Sequence, residues 1–156
     1  MDVKVTINGS ERTYRDCAER RLQDLLRCEG LYSMKHGCET GDCGTCVVLV
    51  DDRPVVSCIL LAGQTHCKRV DTLERLNIDA KVRSLQRAFV ECGAIQCGYC
   101  TPAMILVGRA LLDKNPAPNE EEVREALAGV LCRCTGYVKP VEAILRVARE
   151  EWEKQA

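Results

Sequence analysis

An α+β fold in two successive parts is predicted, a small mixed sheet gripping one helix and then a bundle of four helices. Three observations predict it. Apolar residues alternate with polar ones before residue 76, they recur at helical spacing after residue 82, and eight of the twelve cysteines form two sets of four, one set in each part.

In the first part Val3, Val5 and Ile7 alternate with polar residues, as a strand with one buried face requires. Asn8-Gly9 is a strong two-residue hairpin turn, so Arg12 to Arg15 form the return strand. A short helix follows over Arg20 to Cys28, with Leu22, Leu25 and Leu26 on one face. After a cysteine-rich loop come Val47-Val48-Leu49-Val50, a turn at Asp51-Asp52, and Val55-Val56. Strand, turn, strand, helix, loop, strand, strand is the order of a β-grasp, ferredoxin-like domain, assigned to residues 1–76.

The second part, residues 82–156, reads as helical. Val82, Leu85, Ala88 and Phe89 share a helix face. Thr101-Pro102 reads as an N-cap followed by proline at the first helical position, opening a helix over Ala103 to Asp113 with Ile105, Leu106, Leu111 and Leu112. Asn115-Pro116-Ala117-Pro118 breaks it. Asn119 then caps a helix with Glu120, Glu121 and Glu122 in its first turn, where the positive end of the helix dipole favours acids, and Gly129 ends it. Pro140 opens the last helix, which runs toward Trp152. Two antiparallel helix pairs place Cys97/Cys100 and Cys132/Cys134 at the same end.

The cysteines carry the chemistry. Cys38, Cys43 and Cys46 stand in C-x4-C-x2-C spacing with Cys58 beyond, the plant-type ferredoxin spacing for a 2Fe-2S cluster. Gly37, Gly41 and Gly44 interleave them and allow the backbone to bend tightly round a compact inorganic core. The second set is Cys97-x2-Cys100 with Cys132-x-Cys134. Residues three apart on a helical turn share a face, as do residues two apart in an extended stretch, so these pairs converge, with Arg133 directed away as nearby positive charge. Two other readings stay open. A disulfide framework suits an even cysteine count, but Met1-Asp2-Val3-Lys4 begins no secretory signal, so an intracellular, cytoplasmic setting is expected. Structural zinc suits the second set taken alone. Cys17, Cys28, Cys67 and Cys92 lie outside both sets and read as small buried apolar residues, with a redox-active or alternative ligand left open for Cys92, near Cys97.

Composition excludes several classes. A net charge of −1 gives no reason to expect nucleic acid or an anionic membrane as partner, and no apolar run approaches a membrane span. No Ser/His/Asp or paired-carboxylate constellation suggests hydrolytic chemistry, and His36 and His66 lack metal-ligand partners at useful spacing. With one Phe, one Trp and four Tyr, large core residues are few, so the clusters are expected to hold the fold together as well as carry electrons.

Three segments carry a family resemblance: Gly37-Cys38-Glu39-x2-Asp42-Cys43-Gly44-x-Cys46, Gln96-Cys97-Gly98-Tyr99-Cys100-Thr101-Pro102, and Leu131-Cys132-Arg133-Cys134-Thr135-Gly136-Tyr137. In this order they resemble the signature segments of the iron-sulfur subunit of the molybdenum hydroxylases, the xanthine dehydrogenase and aldehyde oxidoreductase family. The resemblance implies two 2Fe-2S clusters, one on Cys38, Cys43, Cys46 and Cys58 and one on Cys97, Cys100, Cys132 and Cys134. It implies a large partner subunit holding a molybdopterin dinucleotide cofactor and an FAD-binding partner, and it is compatible with a higher oligomer of that heteromer. The second cluster would lie nearer the pterin, with Gln96 and Cys134 matching positions that contact it; from spacing alone, Gln96 is a polar side chain capping a loop. The first cluster would lie nearer the surface and the FAD partner. Ala103, Val130 and Arg75 depart from the family's usual Gly, Asn and Gly. An electron-transfer subunit of a multi-subunit molybdenum hydroxylase is the favoured reading, and a free two-cluster ferredoxin that docks transiently is the alternative.

Overall fold

A computed structural model of the chain describes residues 1–150. The hairpin of β1 (Val3–Ile7) and β2 (Ser10–Tyr14) turns through Asn8 and Gly9, both at positive φ, as a two-residue turn matched to strand twist requires. A second hairpin, β3 (Val47–Val50) and β4 (Arg53–Val56), turns through Asp51 and Asp52, again both at positive φ. The short strand β5 (Arg69–Asp71) joins them, parallel to β1 and antiparallel to β3, giving the sheet order β2-β1-β5-β3-β4. The sequence pattern did not reveal β5, because three residues are too few for alternation to show. The helix α1 (Leu22–Cys28) packs on this sheet. Its Leu22, Leu25 and Leu26 are buried with Val3, Val5 and Ile7, as the spacing predicts.

Five further helices follow. The single turn α2 (Leu73–Leu76) lies in the connection, and α3 (Ala80–Glu91), α4 (Thr101–Lys114), α5 (Glu120–Leu127) and α6 (Val138–Glu150) form the bundle. Asn119 caps α5 as expected: its side chain accepts the Glu122 N–H at 2.9 Å while Glu122 reaches back to the Asn119 N–H at 2.8 Å. Thr101 is not a cap; Cys100 holds that position, and Pro102 is the second helical residue. Likewise α6 begins at Val138, two residues before Pro140, and Ala128 ends α5 one residue before Gly129. Trp152 and the end of the 82–156 span lie outside the described residues.

The two parts share a strand. All four residues of β3 are buried, and alternation sends Val48 and Val50 into the core under α1 but Val47 and Leu49 into the core of the helices. A strand covered on both faces reads as a continuous apolar run, which Val47 to Val50 is. The connection is also tied down. Thr72 N–H donates to the Asn8 side chain at 2.9 Å, and Glu74 accepts from the Tyr32 and Ser33 N–H groups, both at 2.7 Å, and from the Ser33 hydroxyl at 2.5 Å. Arg109 on α4, 15% exposed in its side chain, meets Asp79 at 3.3 Å, Asp113 at 3.2 Å and Asp52 of the β3–β4 turn at 3.9 Å. Shared strand, anchored connection and ion-pair hub together hold the two parts against one another.

Candidate functional site

Three thiols of the first set, Cys38, Cys43 and Cys46, sit on the loop between α1 and β3, and the fourth, Cys58, follows β4. The neck of the loop is closed by Lys35 N–H donating to the Thr45 carbonyl at 2.9 Å. Beneath it Gln23, 1% exposed, donates its Nε2 to the Lys35 carbonyl at 2.9 Å. Ser57 donates its hydroxyl to the Cys46 carbonyl at 2.7 Å, which ties the loop to the segment carrying Cys58. Gly37 is required by close approach, since a Cβ there would stand 2.7 Å from Cys43 Sγ and 2.8 Å from Thr45 Oγ1. Gln23 and Ser57 escaped sequence reasoning because nothing in their spacing marks a buried polar support.

All four thiols of this set converge. Cys46 and Cys58 are each 2% exposed and hydrogen-bonded to one another. Burial pushes the Cys58 thiol up to about 11, with the Cys46 contact adding to the rise. Cys38 is the opposite case. Hydrogen bonds from Thr40 and from the Cys43 backbone bring it down to about 6; the Thr40 and Cys43 N–H groups lie 3.4 and 3.3 Å from its sulfur. Thr45 Oγ1 lies 3.2 Å from Cys43 Sγ.

The second set joins the α3–α4 and α5–α6 connections. Cys97 Sγ and Cys134 Sγ are 3.6 Å apart, and Cys100 hydrogen-bonds Cys132. The convergence was expected, but its details differ. Neither Cys97–Cys100 nor Cys132–Cys134 is helical or extended; both are bends, and the close contacts cross from one segment to the other. Arg133 is one of the residues lining an open cleft with Gly37, Cys43, Thr45, Tyr99 and the four thiols. Tyr137, at positive φ, folds back so that its hydroxyl accepts the Cys132 N–H at 2.8 Å and donates to the Val130 carbonyl at 3.2 Å. Val130 thus contributes a carbonyl, which any residue supplies. Thr135 donates its hydroxyl to Cys132 Sγ at 3.2 Å. Burial alone would raise the Cys132 thiol, yet the Thr135 side-chain and backbone contacts outweigh it and bring it down to about 7. Burial, reinforced by Cys132, drives Cys100 up to about 12, and the Cys97 contact raises Cys134.

Each set therefore contains a thiol held toward thiolate, Cys38 or Cys132, and one whose burial resists ionisation, Cys58 or Cys100, and loading iron would release the protons that remain. Among the described residues no three or more His, Cys, Asp or Glu side chains gather round a single ion. The thiols meet two by two instead, the requirement of a cluster in which each of two irons takes two thiolates.

Other expected residues fall as follows. Gln96 is exposed and donates its Nε2 to the Cys134 carbonyl at 3.1 Å, so it does brace the loop. His36 is a loop residue paired with Glu39 at 2.9 Å and Asp24 at 3.7 Å, and His66 accepts the Lys4 N–H at 3.2 Å. The expectation of burial for the four remaining cysteines is corrected. Cys28 and Cys67 are exposed, the first against Arg20 at 2.8 Å and the second in a positive-φ turn before β5, while Cys17 and Cys92 are half-buried. Arg75 ion-pairs with Asp71 at 3.5 Å and lies over Gly9.

The two loops meet directly. Leu131 N–H donates to the Cys43 carbonyl at 2.9 Å, and Gly44 packs so closely on the α5–α6 connection that a Cβ there would stand 1.9 Å from the Gly129 carbonyl oxygen.

Comparison with known proteins gives a consistent result. Residues 5–68 match the 2Fe-2S iron-sulfur cluster binding domain family and residues 72–145 the [2Fe-2S] binding domain family. The chain is 48% identical to the nicotinate dehydrogenase small FeS subunit of Eubacterium barkeri, over 96% of each chain. It is 41% identical to the xanthine dehydrogenase iron-sulfur-binding subunit of Escherichia coli O157:H7, over 93% of this chain and 92% of that one. Among solved structures it matches quinoline 2-oxidoreductase from Pseudomonas putida 86 with a TM-score of 0.86 and 41% identity, covering 97% of each chain.

Proposed function

Because this chain belongs to the family of small iron-sulfur subunits of the molybdenum hydroxylases, we propose that it relays electrons through two 2Fe-2S clusters, from a molybdopterin site on a large partner subunit toward an FAD-bearing partner. The observation that carries the reading is the double convergence: two sets of four thiols, each meeting as two pairs. We assign Cys38 with Cys43 and Cys46 with Cys58 to the outer cluster, and Cys97 with Cys134 and Cys100 with Cys132 to the inner one. The bound clusters supply one-electron transfer, which divides the two electrons released by a hydroxylation into single steps. The chain supplies the rest: thiolates, amide and hydroxyl donors that favour negative charge on sulfur, and two loops held at fixed separation.

The orientation of the relay rests on exposure. Ile95, Tyr99, Leu131 and Val138, in or beside the inner-thiol segments, are 37–57% exposed, and Gln96, Cys97 and Cys134 are exposed among them. Scattered apolar side chains need no explanation, but a group round a redox site fits a face covered by a partner. We assign Gln96 and Cys134 to the face that meets the pterin. Residues 1–76 and 82–156 are the two cluster domains. Relatives named for nicotinate, xanthine and quinoline favour an N-heteroaromatic substrate, bound on the large subunit. No described helix is long and apolar enough to cross a membrane, and we place the complex in the cytoplasm.

The test is low-temperature EPR of the dithionite-reduced protein, purified anaerobically from its native source, with metal analysis of the same sample. Two distinct 2Fe-2S signals, molybdenum and a co-purifying large chain are expected. A single cluster signal accompanied by zinc would move Cys97, Cys100, Cys132 and Cys134 to a structural site. Two signals in a monomer without molybdenum would leave a free two-cluster carrier.

A further inference from the structure

Two hydrogen bonds join the loops that carry the thiol sets. One runs between peptides, from Leu131 N–H to the Cys43 carbonyl. The other is made by a side chain: Tyr99, between Gly98 and Cys100 on the inner loop, donates its hydroxyl to the His36 carbonyl at 2.8 Å, across 63 residues of sequence. His36 immediately precedes Gly37-Cys38, so this bond lands at the mouth of the outer loop. The Tyr99 ring walls the cleft between the sets, where Gly37, Cys43 and Thr45 face Cys97 and Cys132.

The residue is 44% exposed, so burial alone does not account for a tyrosine here. Nor is its hydroxyl needed to hold the two parts together, which the shared β3 and the Arg109 ion pairs already do. What that bond adds is local, a fixed distance and orientation of the outer loop against the inner one. Electron passage between two centres falls steeply with their separation, so a bond that fixes the loops also fixes the rate.

On the ligand assignment above, we infer that Tyr99 is a positioning residue for electron transfer between the two clusters, its hydroxyl bond to the His36 carbonyl setting their separation. Phenylalanine keeps the ring and removes only the clamp, so Tyr99→Phe isolates the bond.

The experiment uses the cluster-loaded complex and measures three things in wild type, Tyr99→Phe and Arg109→Gln. They are the spin–spin splitting between the two reduced clusters, the intramolecular transfer rate after pulse radiolysis, and hydrogen exchange of the peptide containing Leu131. In Tyr99→Phe both clusters keep their own g-values, the splitting shrinks and broadens, and transfer slows. Exchange protection at Leu131 falls about fivefold, the effect of one neutral hydrogen bond worth about 1 kcal/mol. Arg109→Gln loosens the interface elsewhere and leaves the splitting at its wild-type value. An unchanged splitting and rate in Tyr99→Phe, or the same change in Arg109→Gln, overturns the inference. Loss of a cluster in Tyr99→Phe overturns it too, since the tyrosine would then build the site rather than space it. Failure of the ligand assignment is a separate result, visible in the wild type as the lack of two 2Fe-2S signals.

Discussion

In the N-terminal set three of four thiols come from one loop between Cys38 and Cys46, whose shape is held by glycine, by a closed neck and by buried Gln23 and Ser57. In the C-terminal set the thiols come from two connections that meet only because the helix bundle brings them together, and Cys97 and Cys134 stay exposed. The outer site is thus a local structure and the inner one a tertiary structure. Damage to a local site should stay local, whereas the inner site should fail with its bundle.

Removing a ligand tests that contrast with the largest effect. Cys58→Ser is expected to abolish the outer cluster signal and spare the inner one, and Cys134→Ser to do the reverse and stall turnover with the natural acceptor. EPR of each reduced variant reads both at once. If either variant kept both signals, the ligand assignment would be wrong. Since metal binding contributes folding free energy, each loss should also lower Tm, more so for Cys58, which leaves a buried partner in Cys46.

Gly44→Ala attacks the seam between the sites. Alanine at φ +66 is strained, and its Cβ meets the backbone of Gly129 rather than a side chain free to move. A loss of about 2–4 kcal/mol follows from strain and overpacking together. Chemical denaturation with spectroscopy of both clusters checks it: both signals should be lost in one transition at lower denaturant. Loss of the outer signal alone would mean that the seam does not couple the parts.

The outer site was legible in the sequence because its geometry is written in adjacent residues, in the cysteine spacing, the interleaved glycines and the Asn8-Gly9 and Asp51-Asp52 turns. For the inner site the helices and the convergence of its cysteines were legible, but not which thiol meets which. That depends on bends at Gly98 and Tyr137 whose positive φ no periodicity announces. The short β5 and α2 and the double role of β3 were hidden for the same reason, since only tertiary packing defines them. The burial expected of Cys28 and Cys67 failed because side-chain type was read without its position, the exposed end of α1 for Cys28 and a positive-φ turn for Cys67.

A smaller effect separates the sites by pH. Burial would raise the Glu74 carboxyl, but bonds from Ser33, through its side chain and its N–H, help hold it below the ordinary carboxylate range. With the folded value below the unfolded one, of about 4.3, its contribution is fully present above that pH and is lost as pH falls through the lower folded value. Glu74 anchors residues 32 and 33, which lead into the outer loop, so acid should loosen the outer site first. Glu74→Gln is expected to cost about 1.5–3 kcal/mol at neutral pH, the range for a hydrogen bond to a charged group, and to flatten the acid limb of the stability curve. An acid limb as steep as in wild type would assign it to other carboxylates.

The finest test compares one hydroxyl at each site. Thr45 lies 3.2 Å from Cys43 Sγ and is 4% exposed, while Thr135 lies 3.2 Å from Cys132 Sγ and is half-buried. A hydroxyl donating to a ligand sulfur favours the reduced cluster, which carries one more negative charge, so its loss lowers the potential. A bond worth about 0.5–1.5 kcal/mol corresponds to roughly 20–60 mV for one electron. Thr45→Val should therefore shift only the outer cluster and Thr135→Val only the inner one, in a redox titration followed by EPR. The outer shift should be the larger, because a buried donor works in a medium of lower dielectric constant. If the two clusters moved together in either variant, the sites would be coupled through the Leu131–Cys43 contact more strongly than a local and a tertiary site should be.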